Sequence, residues 1–104
     1  MNIQESLQYW SNKAYGKENE SPLKISAILM YECADLSREI NRLKTYPDEE
    51  VLRRANIKTA VGDVLAMTQL ICAMLDLDFS EMYMTGCQRA VERCKEKLSG
   101  KSGF

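Results

Sequence analysis

The sequence predicts an all-α protein, a compact four-helix bundle, on three observations. No segment alternates apolar and polar residues with a period of two; both prolines stand where a helix would begin; and four segments carry helical apolar spacing between recognisable stops. The first helix covers about 2–14 and ends ahead of YGKENES, where Gly16 supplies a stop. In SPLK, Ser21 takes the N-cap and Pro22 the first position of a second helix, about 22–45. In YPDEE, Pro47 opens a third helix, about 47–76, with Asp48, Glu49 and Glu50 in its positively polarised first turn. Asp78 and Glu81 of DFSE stand at capping-box spacing and start a fourth helix, about 79–98. Residues 1–98 read as one domain and 99–104, SGKSGF, as a flexible tail.

Composition narrows the chemistry. Fourteen basic residues against fifteen acidic ones leave a formal charge of −1, so no global basic field exists to hold nucleic acid. No run is read as a membrane span and MNIQESLQ is no signal peptide, which points to a cytoplasmic protein. The chain has no histidine, and its four cysteines form no CxxC pair. Zinc sets, Cys–His and Ser–His nucleophiles and histidine acid–base chemistry all drop out. The thiols are expected to be reduced and mostly buried. Any bound metal must take oxygen ligands, which selects a hard ion such as Mg²⁺ or Mn²⁺.

The third helix is amphipathic only at its start. From Val64 to Leu75 its polar residues are Thr68 and Gln69 alone, so it is expected to be buried nearly all round. The flanking helices are too short to cover it, which predicts a homodimer or tetramer.

Carboxylates follow an unusual placement. At about 100° per residue, Ile25, Ile28, Leu29, Leu36, Ile40 and Leu43 form the apolar stripe of the second helix. Glu32, Asp35 and Glu39 lie along the edge of that stripe. On the third helix, Asp63 aligns with Asn56, Met67, Leu70 and Met74, also inward. Carboxylates aimed at one another repel and raise their pKa values unless a cation neutralises them. Two arrangements answer this: a shared Mg²⁺, or a metal-free one in which Glu32 and Glu39 are solvated at the stripe's edge or ion-paired with Arg38, Arg42 or Arg53, and Asp63 caps a kink or pairs with Arg89 or Arg93.

These segments resemble the MazG-like, all-α nucleoside triphosphate pyrophosphatases, whose hallmark is an ExxE pair on one helix and an ExxD pair on a later one. YECADL is similar to the first pair, with Glu32 and Asp35 at its acidic positions, and AVGDVL to the second, with Asp63 at the aspartate. WSNKAYGKE resembles the Trp-containing segment ahead of the first pair, and VLAMTQLICAMLDLDFSEM the apolar third helix and its turn. The likeness runs through nearly the whole chain in order. Two departures stand out: Asp35 replaces a glutamate, and Ala60 stands where the second pair has its glutamate.

The resemblance implies Mg²⁺-dependent (or Mn²⁺-dependent) hydrolysis of a nucleoside triphosphate to the monophosphate and pyrophosphate, in nucleotide-pool housekeeping or a phage or mobile-element setting. Glu32, Asp35 and Asp63 would then be the catalytic metal ligands, with Glu39 as a substitute for the missing acid. Lys13 and Trp10 of the first helix, and Arg93 and Lys97 of the fourth, are the nucleotide- or phosphate-binding candidates. Ala60 also admits an alternative, an impaired relative acting as a nucleotide-binding, metal-binding or structural oligomeric module.

Overall fold

The computed structural model describes residues 1–15 and 22–100. It is all-α, with four helices and no strand among the described residues: α1 (Ile3–Tyr15), α2 (Pro22–Thr45), α3 (Glu50–Met74) and α4 (Phe79–Leu98). A single 3-10 turn, Pro47–Glu49, separates α2 from α3. The expected boundaries hold to within a residue or two, except that the first turn expected for the third helix is this 3-10 turn. The Gly16 stop and the Ser21 cap lie outside the described residues.

Local chemistry accounts for the ends. Asn2 Oδ1 accepts from the Glu5 amide at 2.8 Å and caps α1. Pro47 cannot continue α2 and forces Tyr46 out of the helical region, to φ −122°, ψ 71°. The Asp78 side chain accepts from the Glu81 amide at 2.8 Å, which caps α4 as its spacing predicted. α3 ends differently. The Leu77 amide bonds back to the Cys72 carbonyl at 2.8 Å, with Asp76 at φ 55°, a Schellman-type turn built without glycine.

α2 and α3 pack along their length as an antiparallel hairpin, and α1 and α4 each touch α3 only locally. Among the described residues the buried apolar ones are few: Ile25 from α2, and Ala60, Leu70 and Cys72 from α3. This corrects the expectation of a compact bundle. The radius of gyration is 16.8 Å, against about 13 Å for a compact domain of this length.

α3 is likewise not buried all round. Val61 and Leu65 are 40% and 47% exposed on one face of α3, and Asp63 is exposed on another. Three of the four thiols, Cys33, Cys87 and Cys94, are exposed and only Cys72 is buried, contrary to the expectation from residue type. The span from Pro47 to Met74 also contains an 18-residue window with mean hydropathy 1.3, long and apolar enough to cross a membrane by composition. That revises the reading that no run is of that kind. The polar side of α3 argues against lipid on that face, since Asn56, Thr59 and Asp63 line a pocket shared with carboxylates of α2.

Candidate functional site

The antiparallel hairpin sets the polar edges of α2 and α3 against each other. Along that seam runs a pocket of about 200 Å³ lined by Glu32, Asp35, Arg38 and Glu39 from α2, and Asn56, Thr59, Ala60 and Asp63 from α3. Helical spacing produces this set: 32, 35 and 39 follow i, i+3, i+7 on one helix, and 56, 59/60 and 63 follow the same rhythm on the other. Glu32, Asp35, Asp63 and Glu39, predicted from the sequence as one cluster, therefore share one cavity.

Their environments diverge. The Glu32 carboxyl is held above the ordinary glutamate range, first by desolvation, then by the negative charges of Asp63 and Asp35 and by a hydrogen bond with Asp63. Asp35, one turn on, is ion-paired with Arg38. Among the described residues no group of three or more acidic or thiol side chains is gathered closely enough to hold a metal ion. The donor chemistry suits a hard cation as a facing pair, Glu32 and Asp63, and Asp35 joins that pair only by releasing Arg38.

Glu39 is placed otherwise. It is 8% exposed and clasped by three donors: Arg42 Nη1 at 3.1 Å on Oε1, and Arg53 Nη1 and Asn56 Nδ2 at 3.3 Å on Oε2. Desolvation pushes its pKa up, but the Asn56, Arg53 and Arg42 contacts outweigh it, and the carboxyl stays below its ordinary range. Arg53 also grips Glu49 Oε1 through Nε and Nη2 at 3.0 and 2.5 Å and lies over the Tyr46 ring at 5.8 Å. This network closes the end of the hairpin at the α2–α3 turn. Of the two arrangements the sequence allowed, the ion pair describes Glu39 and Asp35, while Glu32 and Asp63 face each other.

Ala60 lies in the pocket wall and is 5% exposed, so a longer side chain there would project into the cavity. Arg38 and Thr59 enter the site although the sequence analysis weighed the first only as a counter-ion and passed over the second. Their signal was positional: Arg38 is three residues beyond Asp35, and Thr59 is four before Asp63 and three after Asn56.

The phosphate- and base-binding candidates stand elsewhere. Trp10 meets Tyr9 edge to face at 5.2 Å and lines a separate apolar groove, and Lys13 Nζ sits over the Tyr9 ring at 5.6 Å. Arg93 lines a shallow depression on α4 with Arg89, Glu92 and Glu96, and Lys97 is in the last turn of that helix. None of the four lines the acidic pocket.

Comparison of the chain with protein-family models, with curated proteins and with solved structures finds no match in any of the three.

Proposed function

We propose that this chain is a divalent-cation-dependent nucleotide pyrophosphohydrolase of MazG-like type, cleaving a nucleoside or deoxynucleoside triphosphate to the monophosphate and pyrophosphate. The observation that carries the reading is the meeting of Glu32, Asp35 and Asp63 in one pocket between two helices. Gathering the Glu32 carboxyl beside the charges of Asp63 and Asp35 is costly, and a divalent cation removes that cost. Glu32 and Asp63 would hold the ion, with Asp35 joining them. When bound, such an ion neutralises phosphate charge and lowers the pKa of a coordinated water. Arg38 is the one cation in the pocket wall, and exchange of Asp35 for a phosphate oxygen would let it hold the triphosphate. Asn56 and Thr59 supply neutral polar groups beside it. In this reading the protein works in the cytoplasm as a homo-oligomer.

A second reading has its own support. Ala60 removes one acid, and Asp35 is already engaged by Arg38, so the same pocket suits a relative that binds a cation or nucleotide without turning it over. Pyrophosphate release separates the two, measured over standard, deoxy and modified triphosphates with Mg²⁺ or Mn²⁺. The catalytic reading expects metal-dependent release that Asp63→Ala abolishes. Release by Asp63→Ala at the wild-type rate contradicts it, and metal-dependent thermal stabilisation without any release selects the binding module.

A further inference from the structure

Two side chains in the wall of the acidic pocket have their donors engaged by the protein itself. Asn56 Nδ2 donates to Glu39 Oε2 at 3.3 Å, and Thr59 Oγ1 donates to the Ala55 carbonyl at 3.3 Å. The first contact fixes an orientation. The Glu39 pKa lies below the ordinary range, so the carboxyl is ionised at neutral pH, and an ionised carboxylate only accepts. The atom that Asn56 turns to it must be the amide nitrogen, which leaves the carbonyl oxygen Oδ1 on the other side of the carboxamide. The Thr59 hydroxyl has its one proton on a backbone carbonyl and keeps its lone pairs. Both residues line the pocket, at i and i+3 on α3, with Cβ atoms about 5–6 Å apart.

This end of the pocket is also balanced in charge. Arg42 and Arg53 pair with Glu39, and Arg53 pairs with Glu49. Along the helix axis Thr59 and Asn56 lie about 6 and 10.5 Å from Asp63. The seam therefore runs from the facing carboxylates, past Arg38, to a neutral stretch that offers acceptors. Such a stretch repels phosphate oxygens and takes donors. In a nucleoside triphosphate, the neighbouring donors next to the phosphates are the 2′- and 3′-hydroxyls of the ribose. We infer that Asn56 Oδ1 and Thr59 Oγ1 accept from these two hydroxyls, so that the pocket selects ribonucleotides over their deoxy forms. Glu39 is the positioning residue, holding the Asn56 carboxamide by its nitrogen. That is a different part from the substitute cation ligand expected of it. The inference rests on the pyrophosphohydrolase reading, which places the phosphates at Glu32, Asp63 and Arg38.

The test is isothermal titration calorimetry of the full chain in Mg²⁺. The probes are α,β-methylene analogues of ribonucleoside triphosphates with the four standard bases. For the base that binds tightest, the 2′-deoxy and 3′-deoxy forms follow. Each deoxy form should bind about fivefold to tenfold more weakly than the ribose form, the effect of one lost hydrogen bond. Thr59→Val keeps the side-chain shape at an exposed position. It should weaken the ribose form by a similar factor and leave one of the two deoxy forms unmoved, and Asn56→Ala should do the same with the other. In Glu39→Gln the new amide donates as well as accepts, which lets the Asn56 carboxamide turn over. Preference for ribose should then fall while binding persists. Should that variant fail to fold, Thr59→Val and Asn56→Ala still decide the question. Equal affinity for the ribose form and both deoxy forms overturns this inference alone, as does a Thr59→Val or Asn56→Ala protein that binds all three sugars equally less well. Binding of no triphosphate overturns it together with the pyrophosphohydrolase reading.

Discussion

Glu32 on α2 and Asp63 on α3 line one pocket across the hairpin seam, and desolvation together with the negative charges of Asp63 and Asp35 holds the Glu32 carboxyl above its ordinary range. A carboxyl whose pKa is raised in the folded state stabilises the fold at low pH. That contribution is lost as pH rises through the raised value. Without a cation, stability should therefore decline as pH climbs above about 4.5, the ordinary glutamate value. Glu32→Gln should remove that decline and raise the melting temperature at neutral pH, measured by calorimetry in chelator. Added Mg²⁺ or Mn²⁺ should stabilise the wild type and leave Glu32→Gln nearly unmoved.

Glu39 has the opposite sign. Its pKa is depressed, so its stabilisation is present above the unfolded value and lost as pH falls through the folded one. Glu39→Gln keeps the shape but not the charge that Arg42 and Arg53 hold, and should destabilise the protein at neutral pH. In the variant the acid limb of the stability–pH curve should flatten. An unchanged acid limb would mean that the clasp around Glu39 is not what low pH breaks.

Ala60→Glu would add a carboxylate to a wall that already carries Glu32, Asp35 and Asp63. In chelator the variant should melt below the wild type, from added repulsion and from insertion of side-chain volume costing about 1–3 kcal/mol. With Mg²⁺ or Mn²⁺ the order should narrow or reverse, and any pyrophosphate release should increase. A variant that stays equally destabilised with and without cation would show that position 60 does not address the cation.

How much of this was legible in the sequence differs by level. Helix positions were readable because each start carries its own chemistry: Pro22, Pro47 and the Asp78 cap announce themselves. The acidic pocket was readable because helical periodicity alone brings 32, 35 and 39 to one edge and 56 and 63 to another. Side-chain partners were not, since Asp35 and Glu39 each had several arginines within reach and only the packing selects among them. Burial was misjudged for a related reason. The apolar run from Val64 to Leu75 signals surface that must be covered, and periodicity does not say whether the cover comes from the same chain. The thiols of α4 repeat the point: Cys87 and Cys94 have the residue type of a core and the exposure of a surface.

The turn after α3 was also hidden, because its left-handed position is filled by Asp76 where glycine is the usual choice. A non-glycine residue there pays a steric penalty of about 1–2 kcal/mol. Asp76→Gly should stabilise the protein by about 1 kcal/mol in a urea titration, with part of the gain offset by the greater freedom of glycine in the unfolded chain. A loss of stability would mean that the Asp76 side chain contributes more to the turn than its backbone costs it.

Toward the open end of the hairpin, near the start of α2, Leu70 is 3% exposed. Leu70→Ala should cost about 2–5 kcal/mol by the same titration, because α2 and α3 have few other fully buried side chains to share the load. A cost below about 1 kcal/mol would place the packed core elsewhere.

The most direct test of the central claim is pyrophosphate release from a panel of nucleoside and deoxynucleoside triphosphates, with Mg²⁺ or Mn²⁺, by wild type and by Asp63→Ala. The account predicts release that requires the cation and falls by two or more orders of magnitude in the variant, roughly what loss of a charge-stabilising group costs an active site. Release that survives Asp63→Ala undiminished, or its absence on every triphosphate from a protein that the cation does not stabilise, would contradict it.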